Sequence, residues 1–296
     1  MRVTTNMLVT NFLRNLNSRL DQIAKRQEEL ASGRRLNRPS DDPTGVMSAL
    51  RLRAQLAENQ QYHKNMADAV DWLNATEAAL RDALATVQRV RELAVAGASD
   101  ALPQGAREAL AQEVEELKEH LGNIANTTYG GRYIFAGTRT DLPPYSNGSL
   151  QSYPGGIEYE IAPATTIKVN TLSSEAFSVP NATANKDIFE VLNQLSSDLR
   201  DGKTQDISNQ RLQELDQSID NLLKVLAEVG AKVKRLEMGM ERLETNEADL
   251  TRLLSQTEDA DMARTIVDLK TQENVYRAAL AVGARLLQPS LVDFLS

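Results

Sequence analysis

The residues of this 296-residue chain whose types could do chemistry are two histidines, a few carboxylate pairs and two glycine pairs. His120 follows Glu116 and Glu119, a set able to hold a metal ion weakly. Neither it nor His63 has a second histidine three or four residues away, the spacing that sets two imidazoles on one helical face. Glu115-Glu116 and Asp41-Asp42 are adjacent carboxylates, and such pairs do acid–base work when burial drives their pKa values apart. Here they fall on an exposed helical face and at a helix start. Gly130-Gly131 and Gly155-Gly156 lack the spacing and the following helix that aim amides at a phosphate, and read as turns. No serine stands in a nucleophile elbow. The absence of cysteine removes thiol nucleophiles, thiolate metal sites and disulfides together. No catalytic residue, metal ligand or cofactor is expected.

Composition narrows the class further. With 41% apolar and 25% charged residues the chain is expected to fold. A net charge of −8 and a pI near 5.0 exclude a general nucleic-acid binder, which needs a basic footprint to displace counterions. The basic run Arg34, Arg35 and Arg38 is offset by Asp41 and Asp42 and reads as a solvated loop. No segment is long and apolar enough for a membrane span. Met1 to Leu16 lacks the unbroken apolar core of a Sec-type signal peptide, so export would take another route. Asn-x-Ser/Thr triplets such as those at Asn126, Asn147 and Asn181 match a short and frequent glycosylation pattern and are taken as chance.

The elements that would position any function are mostly helical. A first helix spans Thr5 to Ser32, ended by Gly33 in the left-handed region. Asp42 then caps a second helix that has Pro43 at its first position and runs to Ala96 or Gly97. Its seam Leu52, Leu56, Met66, Val70, Leu73, Leu80, Leu84 and Val87 is interrupted by Asn59, His63 and Glu77. A third helix opens near Pro103 and yields at Tyr129-Gly130-Gly131. Residues 132 to 180, with period-two runs such as Ile157, Tyr159 and Ile161 between Gly and Pro, predict a small β insert, a satellite to the helices. Helix resumes over Asp187 to Leu199 and, after Gly202, over 205 to 254 with a long seam from Leu212 to Leu254. A polar break at Gln256 to Asp261 precedes a last helix to Leu287, ended by Pro289.

At about 1.5 Å per residue the two long helices would be roughly 80 and 75 Å long, so they are expected to lie side by side. The expected fold is mainly α: an elongated helical hairpin or coiled-coil bundle formed by both chain halves, with the β insert between them and only a minor compact core. The domains read as residues 1–42 with 255–296, a terminal coiled coil; 43–131 with 187–254, a long-helix bundle; and 132–186, the insert.

The two ends carry matching sevenfold stripes, Leu13, Leu16, Leu20, Ile23 and Leu30 at the start and Ile266, Leu269, Tyr276, Leu280 and Leu287 at the finish. A lone helix cannot bury such a seam, so the ends either pair with each other or bury against neighbouring copies. That points to a building block. A soluble coiled-coil sensor with a ligand in the insert is the distant alternative, but residues 132 to 180 converge on no polar pocket.

Particular segments then resemble a known family. Leu30-Ala31-Ser32-Gly33-Arg34-Arg35-Leu36-Asn37-Arg38-Pro39-Ser40-Asp41-Asp42-Pro43 resembles the N-terminal signature of flagellin-like bacterial axial proteins. Its Pro-Ser-Asp-Asp-Pro form is more similar to the hook-filament junction branch, the hook-associated protein 3 group, than to flagellin. Tyr133-Ile134-Phe135-Ala136-Gly137-Thr138 and Ala227-Glu228-Val229-Gly230-Ala231 resemble further signatures of that branch. The ending Ser290-Leu291-Val292-Asp293-Phe294-Leu295 is similar to the usual Ser-Leu-Phe-Asp, with Val292 where Phe is common. The resemblance implies export by the flagellar type III apparatus, with an export chaperone, and assembly of like copies as a thin layer. That layer would join a first junction protein on one side and flagellin on the other, with the paired termini as an inner tube. A flagellin filament subunit is the near alternative.

Overall fold

The computed structural model describes residues 5–180 and 186–286. In order, these form α1 (Thr5–Ser32), α2 (Pro43–Gly97), α3 (Gln104–Ala125), β1 (Thr128–Tyr129), β2 (Arg132–Tyr133), β3 (Tyr145–Ser146), β4 (Ser149–Leu150), β5 (Glu158–Ala162) and β6 (Thr165–Lys168). Then follow α4 (Ser173–Ala176), α5 (Ile188–Asp201), α6 (Thr204–Asp206), a π-turn (Ile207–Arg211), α7 (Leu212–Glu258) and α8 (Met262–Leu286). The mainly helical fold with a small β portion is as read from the sequence. Leu287 and the rest of the tail lie outside the described residues, as does Asn181.

The chain divides into two compact units, residues 1–58 with 246–296 and residues 59–245. The second is built on heptads. Along α2 the residues seven apart, Asn59, Met66, Leu73, Leu80, Val87 and Ala94, are all buried, and along α7 so are Leu215, Leu222, Val229, Leu236 and Leu243. A strict seven-residue repeat keeps one seam facing its partner as the helices coil. The two run antiparallel: Asn59 Nδ2 donates to the Leu243 carbonyl at 2.8 Å, and Arg91 meets Asp216 at 2.5 Å. The polar interruptions of the seam thus have partners, His63 lying 3.6 Å from Glu244 and Glu77 pairing with Arg81.

Helix α3 packs on α5, which Asp187 caps by accepting from the Glu190 amide at 2.8 Å and Gly202 ends in the left-handed region. Glu115 faces this contact, accepting from Ser196 at 3.1 Å and pairing with Arg200 at 2.8 Å, which makes it a packing residue. His120 is exposed, and Glu119 accepts from the Tyr145 hydroxyl at 3.4 Å.

The β portion is three separate antiparallel hairpins. The first begins at Thr128, earlier than expected, because Gly130 and Gly131 both adopt positive φ and turn the chain there. The second turns at Asn147-Gly148, both at positive φ, the I′ geometry that this dipeptide favours. The expectation of a satellite insert needs correcting. Ile134, Phe135, Tyr145, Ile161, Ile167, Val169 and Phe177 belong to the same buried core as Trp72, Leu195 and Leu222. Burying these few aromatic groups contributes more than the two- to five-residue ladders can, so the hairpins sit on the helices.

The helix expected over 205 to 254 is helical from Thr204, passes through the π-turn before continuing as α7, and ends later, at Glu258. Ahead of α7 the π-turn brings Arg211 inward, where it meets Asp198 at 2.9 Å and Glu214 at 2.5 Å, while Lys186 reaches Glu214 at 2.9 Å. Ile207 and Arg211, four residues apart, share one face of this turn and are both buried. At the other end the helix continues to Glu258, whose carboxylate is buried and paired with Arg34 and Arg53.

Candidate assembly site

The first unit holds both sequence-predicted terminal seams. Helices α1 and α8 lie antiparallel: Arg19 donates to Gln272 at 3.1 Å and Arg26 lies 3.6 Å from Asp268. Each stripe splits into two rows. Leu16, Ile23 and Leu30 on α1, and Leu269 and Tyr276 on α8, are buried or half-buried. Leu13 (49% exposed), Leu20 (42%), Ile266 (48%) and Leu280 (44%) face away. One helix covers only one side of another, so a stripe two rows wide keeps its second row uncovered. Between the helices lies a groove of about 400 Å³, lined by residues including Phe12, Leu16, Arg19, Val275 and Val282. Gly283 lets Phe12 approach, since a Cβ there would collide with the ring. That glycine continues the seven-step row of Leu269 and Tyr276, and an isolated glycine inside a helical pattern was a readable sign of close approach.

The N-terminal signature forms a corner between α1 and α2. Gly33 takes φ +70°, the left-handed value that ends α1, and donates to the Glu29 carbonyl at 2.9 Å. Ser32 Oγ accepts from the Arg34 amide at 3.1 Å, and Asn37 donates to the Arg34 carbonyl at 3.1 Å. Arg38, Pro39, Ser40 and Asp41 make a tight turn closed by the Asp41 amide on the Arg38 carbonyl at 3.0 Å, and Asp41 accepts from the Arg38 amide in return. Asp42 caps α2 through Thr44 and the Gly45 amide, at 2.8 and 3.0 Å, and Pro43 opens the helix. Lys25, hydrogen-bonded to Asp41, lowers that carboxyl's pKa, and the Gly45 amide lowers that of Asp42.

The corner is completed from the far end of the chain. The Arg35 amide donates to the Glu258 carbonyl at 2.7 Å, its guanidinium reaches the Thr257 carbonyl at 2.9 Å, and the Ala260 amide returns to the Gly33 carbonyl at 3.0 Å. The Glu258 carboxylate is buried, takes an ion pair from Arg34 at 3.3 Å, and pairs with Arg53 of α2. Arg38 pairs with Glu28 at 3.0 Å. The basic run is exposed, as expected of a solvated loop, and its guanidiniums also make ion pairs and a hydrogen bond within the chain. Glu258 and Arg53 carried no local signal, because their meaning lies in a partner 205 residues away.

The Tyr-Ile-Phe-Ala-Gly-Thr segment is likewise structural. Phe135 stacks edge-on to Phe177 with ring centres 5.3 Å apart, and its carbonyl accepts from the Ser173 amide at 3.0 Å. Gly137 takes φ +61° with its Cα against the Tyr153 carbonyl, a place no Cβ fits, and Thr138 donates to the Pro154 carbonyl at 3.0 Å. Tyr133 is half-buried at the end of β2. Among the described residues no cluster of three or more metal-ligating side chains occurs, and no helix is long and apolar enough to cross a membrane.

The family model of the bacterial flagellin N-terminal helical region matches residues 3–140, and that of the C-terminal helical region matches residues 212–295, together three quarters of the chain. The chain belongs to the flagellin family. Among its relatives, flagellar hook-associated protein 3 of Escherichia coli K12 is 27% identical, over 94% of this chain and 95% of that one. A flagellin of Bacillus subtilis is 25% identical over 97% of both. In fold, the chain is similar to flagellar hook-associated protein 3 of Legionella pneumophila, with TM-score 0.63, 16% identity, and coverage of 69% of this chain and 97% of that one. The flagellar junction protein FlgL of the same organism gives 0.59 and 17%, over 73% and 100%. These relatives are structural flagellar proteins. In this flagellin-family chain, the Leu30 to Pro43 and Tyr133 to Thr138 segments shape the fold, while one row each of α1 and α8 stays exposed.

Proposed function

We propose that the chain is a structural adaptor of the bacterial flagellum, assembling as a layer at the hook-filament junction. It links the hook, through the first junction protein, to the flagellin filament. The observation that carries this reading is the end-to-end similarity to a hook-associated protein 3, spanning 94% and 95% of the two chains. The Pro39-Ser40-Asp41-Asp42-Pro43 turn and the Tyr133 to Thr138 segment support it, since their form is that of the junction branch.

In this reading residues 1–42 and 255–296 form the inner tube, 43–131 and 187–254 the long-helix layer, and 132–186 its β portion. Leu13, Leu20, Ile266 and Leu280 receive their cover from sibling copies, through contacts that are heterologous because subunits about a helical or ring axis present different faces to each other. Isolated helices draw most of their stability from burial, so this cover also completes their ordering and defers polymerisation until delivery. Export runs through the type III apparatus, with a chaperone shielding the same rows.

A filament-subunit reading is favoured by the Bacillus subtilis flagellin match, which is equally broad. Copy number separates the two. Gold labelling of isolated hook-filaments is expected to mark one short band at the distal end of the hook, and a strain lacking the gene is expected to carry bare hooks and release flagellin into the medium. Label along the whole filament would overturn the junction reading.

A further inference from the structure

We infer that Glu258 is a positioning residue that makes the two corners of the first unit, α1 to α2 and α7 to α8, order only together. The N-terminal corner cannot complete its own hydrogen bonds. The Arg35 amide has its acceptor on Glu258, and the Gly33 carbonyl has its donor on Ala260. The guanidiniums of Arg34 and Arg53, from the corner and from α2, meet on the single buried carboxylate of Glu258, and Arg35 adds the Thr257 carbonyl. Arg34 and Asp259 bridge as a minimal antiparallel pair, so the chain segments on either side of both corners are laced over only a few residues.

Each half leaves the other half's polar groups without partners. A buried carboxylate stripped of its arginines is strongly disfavoured, and so is a helix end with orphaned amides and carbonyls. Synthesis makes residues 33–42 long before residues 257–260 exist, so the corner after α1 stays open until the segment that starts α8 is present. Glu258 thereby acts as a completion check: α1 gains its fixed departure into α2 only when the helix it pairs with has its own start in place. This coupling does not depend on which layer of the flagellum the chain occupies.

The test is amide exchange on the full-length soluble chain. Joint ordering predicts that Arg35 and Ala260 exchange with a common opening rate. Glu258→Gln keeps the side chain's shape and removes its charge, and is expected to speed both amides by the same factor of at least about ten, while residues 215–243 stay protected. Arg53→Gln, on a third element, is expected to act on the same two amides. Acceleration of one corner alone, or of neither, would overturn the coupling. Loss of protection across residues 215–243 as well would make Glu258 a general stability residue and overturn it too.

Discussion

Gly137 shows how a signature residue can be a steric requirement. Its positive φ and the Tyr153 carbonyl lying against its Cα leave no room for a side chain, so Gly137→Ala combines strain with collision. It is expected to destabilise the second unit by about 2 kcal/mol or more, read from urea melts followed by the emission of Trp72, the single tryptophan. The buried quartet of Lys186, Glu214, Arg211 and Asp198 makes a pH prediction. Burial pushes the Glu214 pKa up, but hydrogen bonds and charge from Lys186 and Arg211 outweigh it and hold it below the usual carboxylate value. A depressed carboxyl contributes stability that is present above its unfolded pKa of about 4.3 and is lost as pH falls through the folded one. Wild type and Glu214→Gln are therefore expected to differ in urea midpoint at pH 7 and to converge as the pH drops below that range. Arg211→Met, which leaves Asp198 with only Lys203 at 3.9 Å and Glu214 with Lys186 alone, is expected to cost about 3 kcal/mol at pH 7. At this scale the cap Asp42, the Pro43 after it and the Gly33 stop were legible because their physics is local. Glu258 was not, because an isolated glutamate in a helical run is indistinguishable from a solvated one.

Among the elements, helices read well and their joints less so. Helix α1 over Thr5–Ser32 and α2 over Pro43–Gly97 follow from periodicity and caps. The π-turn before α7 did not, since no residue in 207–211 marks it locally, and the burial of the hairpins depends on helical surfaces distant in sequence. The terminal stripes were legible as stripes, but which row faces α8 was not, because periodicity alone does not rotate a helix. That division yields a contrast between two kinds of leucine. Leu236 is fully buried on the α7 seam, and Leu236→Ala is expected to destabilise the soluble chain by about 2–5 kcal/mol. Leu20→Asp and Leu280→Asp, at 42% and 44% exposure, are expected to change it by no more than about 0.5 kcal/mol. Under the adaptor reading they abolish incorporation all the same, which complementation of motility together with chemical denaturation would check. An aspartate variant that swims normally would remove those rows from the assembly surface.

For the molecule as a whole, the composition excluded more than it specified. The acidic balance, the missing cysteines and the lack of any catalytic constellation left a helical building block, and the signature segments narrowed the family. One bond within the second unit bears on how such a block behaves under load. A zipper of leucines repeating every seven residues finds nearly equivalent partners after a slide of one repeat, about 10 Å along the axis at 1.5 Å per residue. Asn59, the only asparagine on the buried α2 row from 59 to 94, donates to the Leu243 carbonyl at 2.8 Å, and any such slide must first break that buried bond and drag the amide past methyl groups. This lone tooth therefore raises the barrier to skipping a notch, whichever notch the two rods would settle in.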